Sequence, residues 1–315
     1  MDRMPKLVSI VFSFKNEQKT LPLLVSRTVA VLKNEPEDYE LIFVNDASTD
    51  GSLETLKGLR KDNARIKIVD MSRTFGVYEC LMAGLSRSRG DAVIYMDSDL
   101  QDPPEVVPKM LKAWREGSDV VHTVRTKRHG ESALRLALTL LAYRILARVS
   151  EIPLPVESGD YKLLSRRCVD HILSFRESDL YFRGLAVWIG YAQVSVEYER
   201  EARAAGQSTR GVLSSTAFKF FAAALTGFTF FPIFAVLSVG IASALLALLL
   251  AAAGGVAAVC GTEVSDGYWI FALIFFCWST LLAAVGVVGY YVMRVYKDVR
   301  GRPPYIVREA IGFES

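Results

Sequence analysis

Short apolar runs punctuate the first 125 positions of the chain: LVSIVFSF (7–14), ELIFVN (40–45), RIKIVD (65–70), DAVIYM (91–96) and DVVHTV (119–124). Between them, apolar residues recur at helical spacing over roughly 18–34, 50–61, 76–88 and 105–116. Strands this apolar have no wet face, and strands alternating with helices imply a parallel sheet covered on both sides. Past 125 the pattern changes. A long helix is predicted over 131–150, with Arg135, Arg144 and Arg148 on its polar side. A loop, a short strand and a helix follow over 157–173, and a further strand over 191–201 leads into a loop rich in Arg, Ala and Gly.

The C-terminal third reads differently again. No Asp, Glu, Lys or Arg occurs from Phe220 to Thr262, nor from Gly267 to Met293. Each run exceeds the roughly 20 apolar residues that cross a bilayer core. The expected organisation is a catalytic domain over 1–212, an interfacial helix over 213–229, two transmembrane helices within 230–293 and a tail over 294–315. The linker EVSD between the spans lacks Lys and Arg, whereas the tail carries Arg294, Lys297, Arg300, Arg302 and Arg308. This asymmetry places the tail, and with it the N-terminal domain, in the cytoplasm. The N-terminus shows no signal-peptide pattern. Small residues at Gly240, Ala242, Gly286 and Gly289 leave room for packing between protomers of a homo-oligomer. The four cysteines form no CxxC pair, which fits a reducing compartment and not a zinc site. A net charge of +3 with no basic–aromatic stripe gives no reason to expect nucleic acid.

In parallel α/β sheets, ligands bind beyond the carboxyl ends of the strands. The polar clusters fall there: SFKNE (13–17), NDASTD (45–50), SRTFG (72–76) and DSDLQD (97–102) each follow a strand. Asp97 and Asp99 are two apart, so in extended chain their carboxylates would share one side, with Gln101 at the next step. Like charges so placed call for a cation, and Mg²⁺ or Mn²⁺ held by one or two carboxylates completes its shell with phosphates and water. A diphosphate is therefore expected. Asn45 and Asp46 end a buried strand where they can meet a base or ribose, while Asp50 or Ser48 can cap the helix over 50–61. Asp102, Pro103 and Pro104 end the metal loop and start the next helix. The three histidines read as structural.

Taken together, NDASTDGS, RTFGVYECLMAGLSRSRGD, MDSDLQDPPE, ESGDYKLLSRR, YFRGLAVWIG, REARAAGQS and the paired spans ending in RVYKDVRGRPPYIV resemble family 2 glycosyltransferases of the GT-A fold. More narrowly, the chain is similar to polyprenyl-phosphate glycosyltransferases of the GtrB and dolichyl-phosphate mannose synthase type. The resemblance runs from about Val8 to Val307, and the QxxRW motif of processive synthases is missing. It implies an α/β Rossmann-like sheet, a nucleotide-sugar donor, a polyprenyl-phosphate acceptor at the bilayer, and Mg²⁺ or Mn²⁺. By the same carry-over, Asp97, Asp99 and Gln101 match metal ligands. Ser13, Glu17, Asn45, Asp46, Arg73, Gly76, Ser98 and Ser208 match the donor site. Arg203 matches an arginine that closes over the donor phosphates, Asp160 an acid near the reaction centre, and Arg125, Arg128 and Arg135 the acceptor-phosphate contacts. Ser13 and Lys15 stand where the family usually has proline and tyrosine, Asn45 where aspartate is usual, and Thr209 in place of a lysine. These departures bear on donor identity.

A phosphate monoester has a second pKa near 6, so such an acceptor is already anionic and needs little base catalysis. Catalysis then rests on the departing diphosphate, in a single inverting displacement. A hydroxyl-bearing lipid such as diacylglycerol or ceramide is the alternative acceptor and would need Asp160 as a true base. A non-catalytic membrane scaffold is the remaining reading.

Overall fold

The structure is a computed structural model that describes residues 6–127, 158–175, 177, 181–200, 231–260 and 266–313. The apolar runs form strands within a residue or two of their expected bounds at the central positions: β1 (Leu7–Phe14), β2 (Asp38–Asn45), β3 (Ile66–Met71) and β4 (Ala92–Asp97). They alternate with α1 (Leu21–Leu32), α2 (Ser52–Asp62), α3 (Val77–Arg87) and α4 (Val107–Arg115). A 3₁₀ turn at Pro104–Val106 precedes α4, so the two prolines do open that element. Next come β5 (Val120–Lys127), β6 (Ser158–Ser165), α5 (Arg166–Ser174), α6 (Phe182–Trp188) and β7 (Gln193–Glu199). Two long helices, α7 (Phe231–Val259) and α8 (Asp266–Val299), precede β8 (Val307–Ile311). The expected helices over 131–150 and 213–229 lie outside the described residues.

All eight strands join one sheet in the order β7-β5-β6-β4-β1-β2-β3-β8. The centre, β3-β2-β1-β4, is parallel as expected. The sheet as a whole is mixed: β6 runs antiparallel to β4 and β5, and β8 runs antiparallel to β3. Side chains alternate across it. Val8, Ile10, Phe12, Leu41, Phe43 and Ile94 pack with α1, α2 and α4 on one face, while Val11, Ile42, Val44, Val93 and Tyr95 pack with α3, α5 and α6 on the other. Both faces are buried, which accounts for the continuous apolar runs.

The C-terminal segment, expected as a tail over 294–315, contains a strand. The helix α8 continues to Val299, and β8 then pairs along β3 from Met71↔Val307 to Ile68↔Ile311. Five half-exposed residues give too short an alternation to be recognised beside the basic residues around them. The membrane expectation is met in part. Among the described residues, Phe276–Val299 is the segment long and apolar enough to cross a bilayer. The partner helix α7 has no charged residue across its 29 positions, and the two helices lie together with large apolar side chains such as Leu249, Trp278 and Val285 exposed.

Helix α3 sits close on the sheet because position 84 has no side chain. A Cβ at Gly84 would approach Val11 Cγ1 to 2.2 Å and Val44 Cγ2 to 3.2 Å. Overpacking of this kind costs about 1–3 kcal/mol. Gly84→Val is therefore expected to lower the midpoint of thermal unfolding by several degrees, as read by circular dichroism in detergent.

Candidate active site

The register of the parallel strands brings their ends into one line. Asp97 of β4 lies opposite Ser13 of β1, Phe14 opposite Asn45 of β2, and Asn45 opposite Asp70 of β3. The loops that leave these ends contain left-handed non-glycine residues at Asn16 (φ 58°), Ala47 (φ 52°) and Leu100 (φ 61°). Such conformations cost energy and concentrate where loops are shaped for binding. The four polar clusters thus meet on one rim, as the sequence implies.

The geometry of Asp97–Asp99 differs from the extended one expected. The strand stops at Asp97 and the chain turns at Ser98, because β1 offers no pairing beyond Ser13. The turn is closed by the Gln101 amide, which donates to Asp99 Oδ1 at 3.1 Å. Ser98 is buried within it. Burial, followed by the charges of Asp102, Asp99 and Asp160, pushes the Asp97 carboxyl up to about 7. The Tyr95 hydroxyl donates to Asp97 Oδ1 at 3.3 Å and lies 2.8 Å from Ser13 Oγ. Ser13 thus supports the carboxylate cluster from beneath.

The donor set fits a hard divalent ion. No cluster of three His, Cys, Asp or Glu side chains able to hold a metal occurs among the described residues. Mg²⁺ and Mn²⁺ sites of the phosphate-binding kind need only one or two carboxylates, and Asp97 and Asp99 provide them. Gln101 is placed differently from a free ligand: its Oε1 accepts from Arg200 Nη2 at 2.8 Å. Arg200 Nε is buried and has no hydrogen-bond partner among the described residues. It lies 3.9 Å from Asp102 Oδ1, so the guanidinium sits in the acidic loop after β4 with one donor not used in a hydrogen bond, which suits a diphosphate oxygen. Sequence reasoning chose Arg203 for this task. Arg203 and Ser208 lie outside the described residues, as do Arg128 and Arg135.

Because β6 is antiparallel to β4, its first residues reach the same rim, and Asp160 arrives beside Asp97. Arg183 of α6 holds Asp160 in a two-pronged pair, Nε to Oδ1 at 2.9 Å and Nη2 to Oδ2 at 2.8 Å. Tyr78 Oη adds a long contact of 3.4 Å. Burial pushes the Asp160 carboxyl up, but Arg183, Lys162 and Arg125 prevail and hold it below the usual range. Lys162 is buried next to His122 Nδ1 (3.3 Å) and donates to the Gly159 carbonyl (2.8 Å). Burial brings its ammonium down to about 7. Burial and Lys162 together lower His122 to about 4, so this imidazole is neutral and structural, as expected. Arg125, expected at the acceptor phosphate, is half-buried and already has partners. Its Nε donates to Tyr198 Oη at 3.0 Å and its Nη2 lies 3.7 Å from Asp102. The Tyr198 hydroxyl also donates to Asp102, which is therefore a member of the charged cluster and more than a loop terminator. Arg183 and Arg200 were not singled out from the sequence. Their signal was their place within two quoted motifs, YFRGLAVWIG and REARAAGQS, the latter beginning at Arg200.

On the donor side, Asp46 Oδ1 accepts from the amides of Phe75 (2.7 Å) and Gly76 (3.4 Å), tying the end of β2 to the start of α3. Gly76 takes φ 128°, which a side chain would oppose. Arg73 stacks on Phe75 at 3.9 Å. Glu17 Oε2 accepts from Thr20 Oγ1 at 2.9 Å at the mouth of α1. Asp50, expected as a helix cap, lies one residue before the N-cap Gly51, and its Oδ1 accepts from the Ser52 amide at 3.0 Å.

Residues 9–173 match the model of the family described as glycosyl transferase family 2. The chain is a family 2 glycosyltransferase. Among its relatives, the uncharacterized glycosyltransferase YkcC of Bacillus subtilis is 33% identical across 98% of this chain and 95% of its own length. The bactoprenol glucosyl transferase of Shigella phage SfII is 30% identical across 96% of this chain and 98% of its own. Among solved structures, mannosyl-3-phosphoglycerate synthase from Rubrobacter xylanophilus aligns with a TM-score of 0.48 at 20% identity, covering 69% of this chain and 71% of that one.

The raised Asp97 pKa makes a pH prediction for this glycosyltransferase. Between the unfolded value near 4 and the folded value of about 7, the folded state binds a proton that the unfolded state has released. Stability contributed by Asp97 therefore falls as pH rises through that window and stays low above it. Without added metal, Asp97→Asn is expected to melt higher than the parent at pH 8, with the gap closing towards pH 4. Saturating Mg²⁺ should raise the parent's midpoint at pH 8 more than the variant's. A variant that melts lower than the parent at pH 8 would contradict the electrostatics described.

Proposed function

We propose that this glycosyltransferase moves one sugar from a nucleotide-sugar donor to polyprenyl phosphate, with Mg²⁺ or Mn²⁺, at the cytoplasmic face of a membrane. The end-to-end match to bactoprenol glucosyl transferases carries this reading. The site geometry supports it. Asp97 and Asp99 would hold the ion, which supplies positive charge against the leaving diphosphate. Arg200, with Arg203 and Ser208 from the loop that follows, would bind the phosphates, and Asp46, Glu17, Arg73 and Gly76 would line the nucleoside side. Asp160, fixed by Arg183, orients the sugar or the acceptor. A carboxylate held in a two-pronged arginine pair below its usual range is a weak base. That favours an acceptor already anionic over the hydroxyl of diacylglycerol or ceramide.

The membrane arrangement belongs to the same proposal. The α7–α8 segment is anchored in one sheet at both ends, by β7 before it and β8 after it. A chain that crosses a bilayer between two strands of one sheet must cross an even number of times. With α8 as one span, α7 is the other, and the tail lies on the side of the catalytic domain. The positive charges after Met293 favour the cytoplasmic side.

The test is a panel of labelled UDP- and GDP-sugars offered with polyprenyl phosphate or diacylglycerol to protein in detergent. Label should enter the organic phase with polyprenyl phosphate, and only with divalent metal present. Asp99→Ala should lose roughly 100-fold or more of that transfer, the scale for removing a charge-stabilising group. Preferential labelling of diacylglycerol would reverse the acceptor assignment.

A further inference from the structure

The strand after the membrane helices reaches the donor side of the site through a short polar chain. Arg308 of β8 places Nη1 3.2 Å from Asp70 Oδ2 and donates through Nη2 to the Ser72 carbonyl at 2.8 Å. The other oxygen of Asp70, which is buried, accepts from Asn45 Nδ2 at 2.8 Å. Asn45 Oδ1 in turn accepts the Ser48 amide at 3.0 Å. That last bond spans Asp46 and the left-handed Ala47. The chain Arg308–Asp70–Asn45–Ser48 thus fixes the loop carrying Asp46 from a residue 262 positions away in sequence, counted from Asp46 to Arg308. The same tail is fastened at two further points. Tyr305 Oη meets Ser86 Oγ of α3 at 2.9 Å, and the Phe313 ring lies under Lys67 at 5.5 Å.

We infer that Arg308 is a positioning residue for the nucleoside end of the donor, acting through Asp70 and Asn45. The inference rests on the donor site proposed above. It also gives a reason for an amide at position 45. Asn45 can donate to Asp70, whereas an aspartate there would set a second carboxylate against it. The strand that closes the membrane segment is therefore part of the donor-binding architecture, and losing it should weaken donor binding without touching the acceptor.

The experiment uses the full chain in detergent with Mg²⁺, titrated calorimetrically with UDP and with GDP, together with steady-state transfer assays. Arg308→Met is expected to weaken binding of the favoured nucleoside diphosphate by about fivefold, the scale of one charge-assisted contact at a half-exposed site. Donor KM should rise with it while acceptor KM stays at the parent value. Arg308→Lys should recover part of the loss. In an Asp70→Asn background, Arg308→Met should add little, because the chain is already broken. The inference is overturned if Arg308→Met binds as the parent does or if the two substitutions add in full. Failure of the parent itself to bind either nucleotide would instead overturn the donor reading beneath it.

Discussion

The site depends on the pairing of β1 with β4. That register ends both strands at the same height and leaves Asp97 as the last residue with a partner. Beyond it the chain turns, and beneath it lies apolar core with Lys162 set in it. Desolvation disfavours the charged form of a carboxylate in this position, and its charged neighbours include three more carboxylates. Arg125, Arg183 and Lys162 bear on Asp160, and Arg125 and Arg200 on Asp102. At Asp97 the charges of Asp102, Asp99 and Asp160 outweigh that of Arg125. Such a surplus of carboxylate suits the divalent ion proposed above.

The reversed strand β6 does the second half of the work. Were it parallel to β4, Asp160 would begin the strand at the far edge of the sheet. Running backwards, it delivers Asp160 to the rim and Lys162 to the layer just below. Two half-buried carboxylates then sit in one site with opposite perturbations: Asp97 raised by desolvation and like charge, Asp160 lowered by arginine. Environments that push pKa values apart assign different roles to identical groups. Here one is suited to meeting a cation and the other to staying ionised as a fixed hydrogen-bond acceptor.

The parts of this arrangement legible in the sequence were those governed by local pattern. The strands β1 to β4 announce themselves as apolar runs ended by polar clusters, and the rule for parallel sheets put those clusters on one rim. Asp97, Asp99 and Asp46 follow directly. What local pattern could not supply was the turn at Ser98, since alternation assumes the strand goes on. It could not show that Asp102 and Arg125 pair with each other, because that contact bridges separate strands through Tyr198. Arg183 carries no local signal, because its partner Asp160 lies 23 positions away in sequence. The strand β8 was hidden by its brevity and by lying after segments that read as membrane.

The edges of the sheet also bear on how a lipid could reach the rim. Strand β7 is parallel to β5, and two reversals through β6 make it parallel to β4, so it ends at the rim where Arg200 stands. Strand β8 runs against β3 and starts at that same rim, with Val307 beside Met71. The chain thus departs towards α7 and returns from α8 on the side of the sheet that carries Asp97. Eight steps of chain separate Val299, at the end of α8, from Val307. Fully extended they reach at most about 29 Å. With α8 in the bilayer, as proposed, the β8 edge of the rim is held within that reach of the helix end. Under that proposal so short a tether would turn the rim towards the membrane and leave the far side of the domain to solvent. The proposed soluble donor and membrane-bound acceptor would then approach the same carboxylates from different directions.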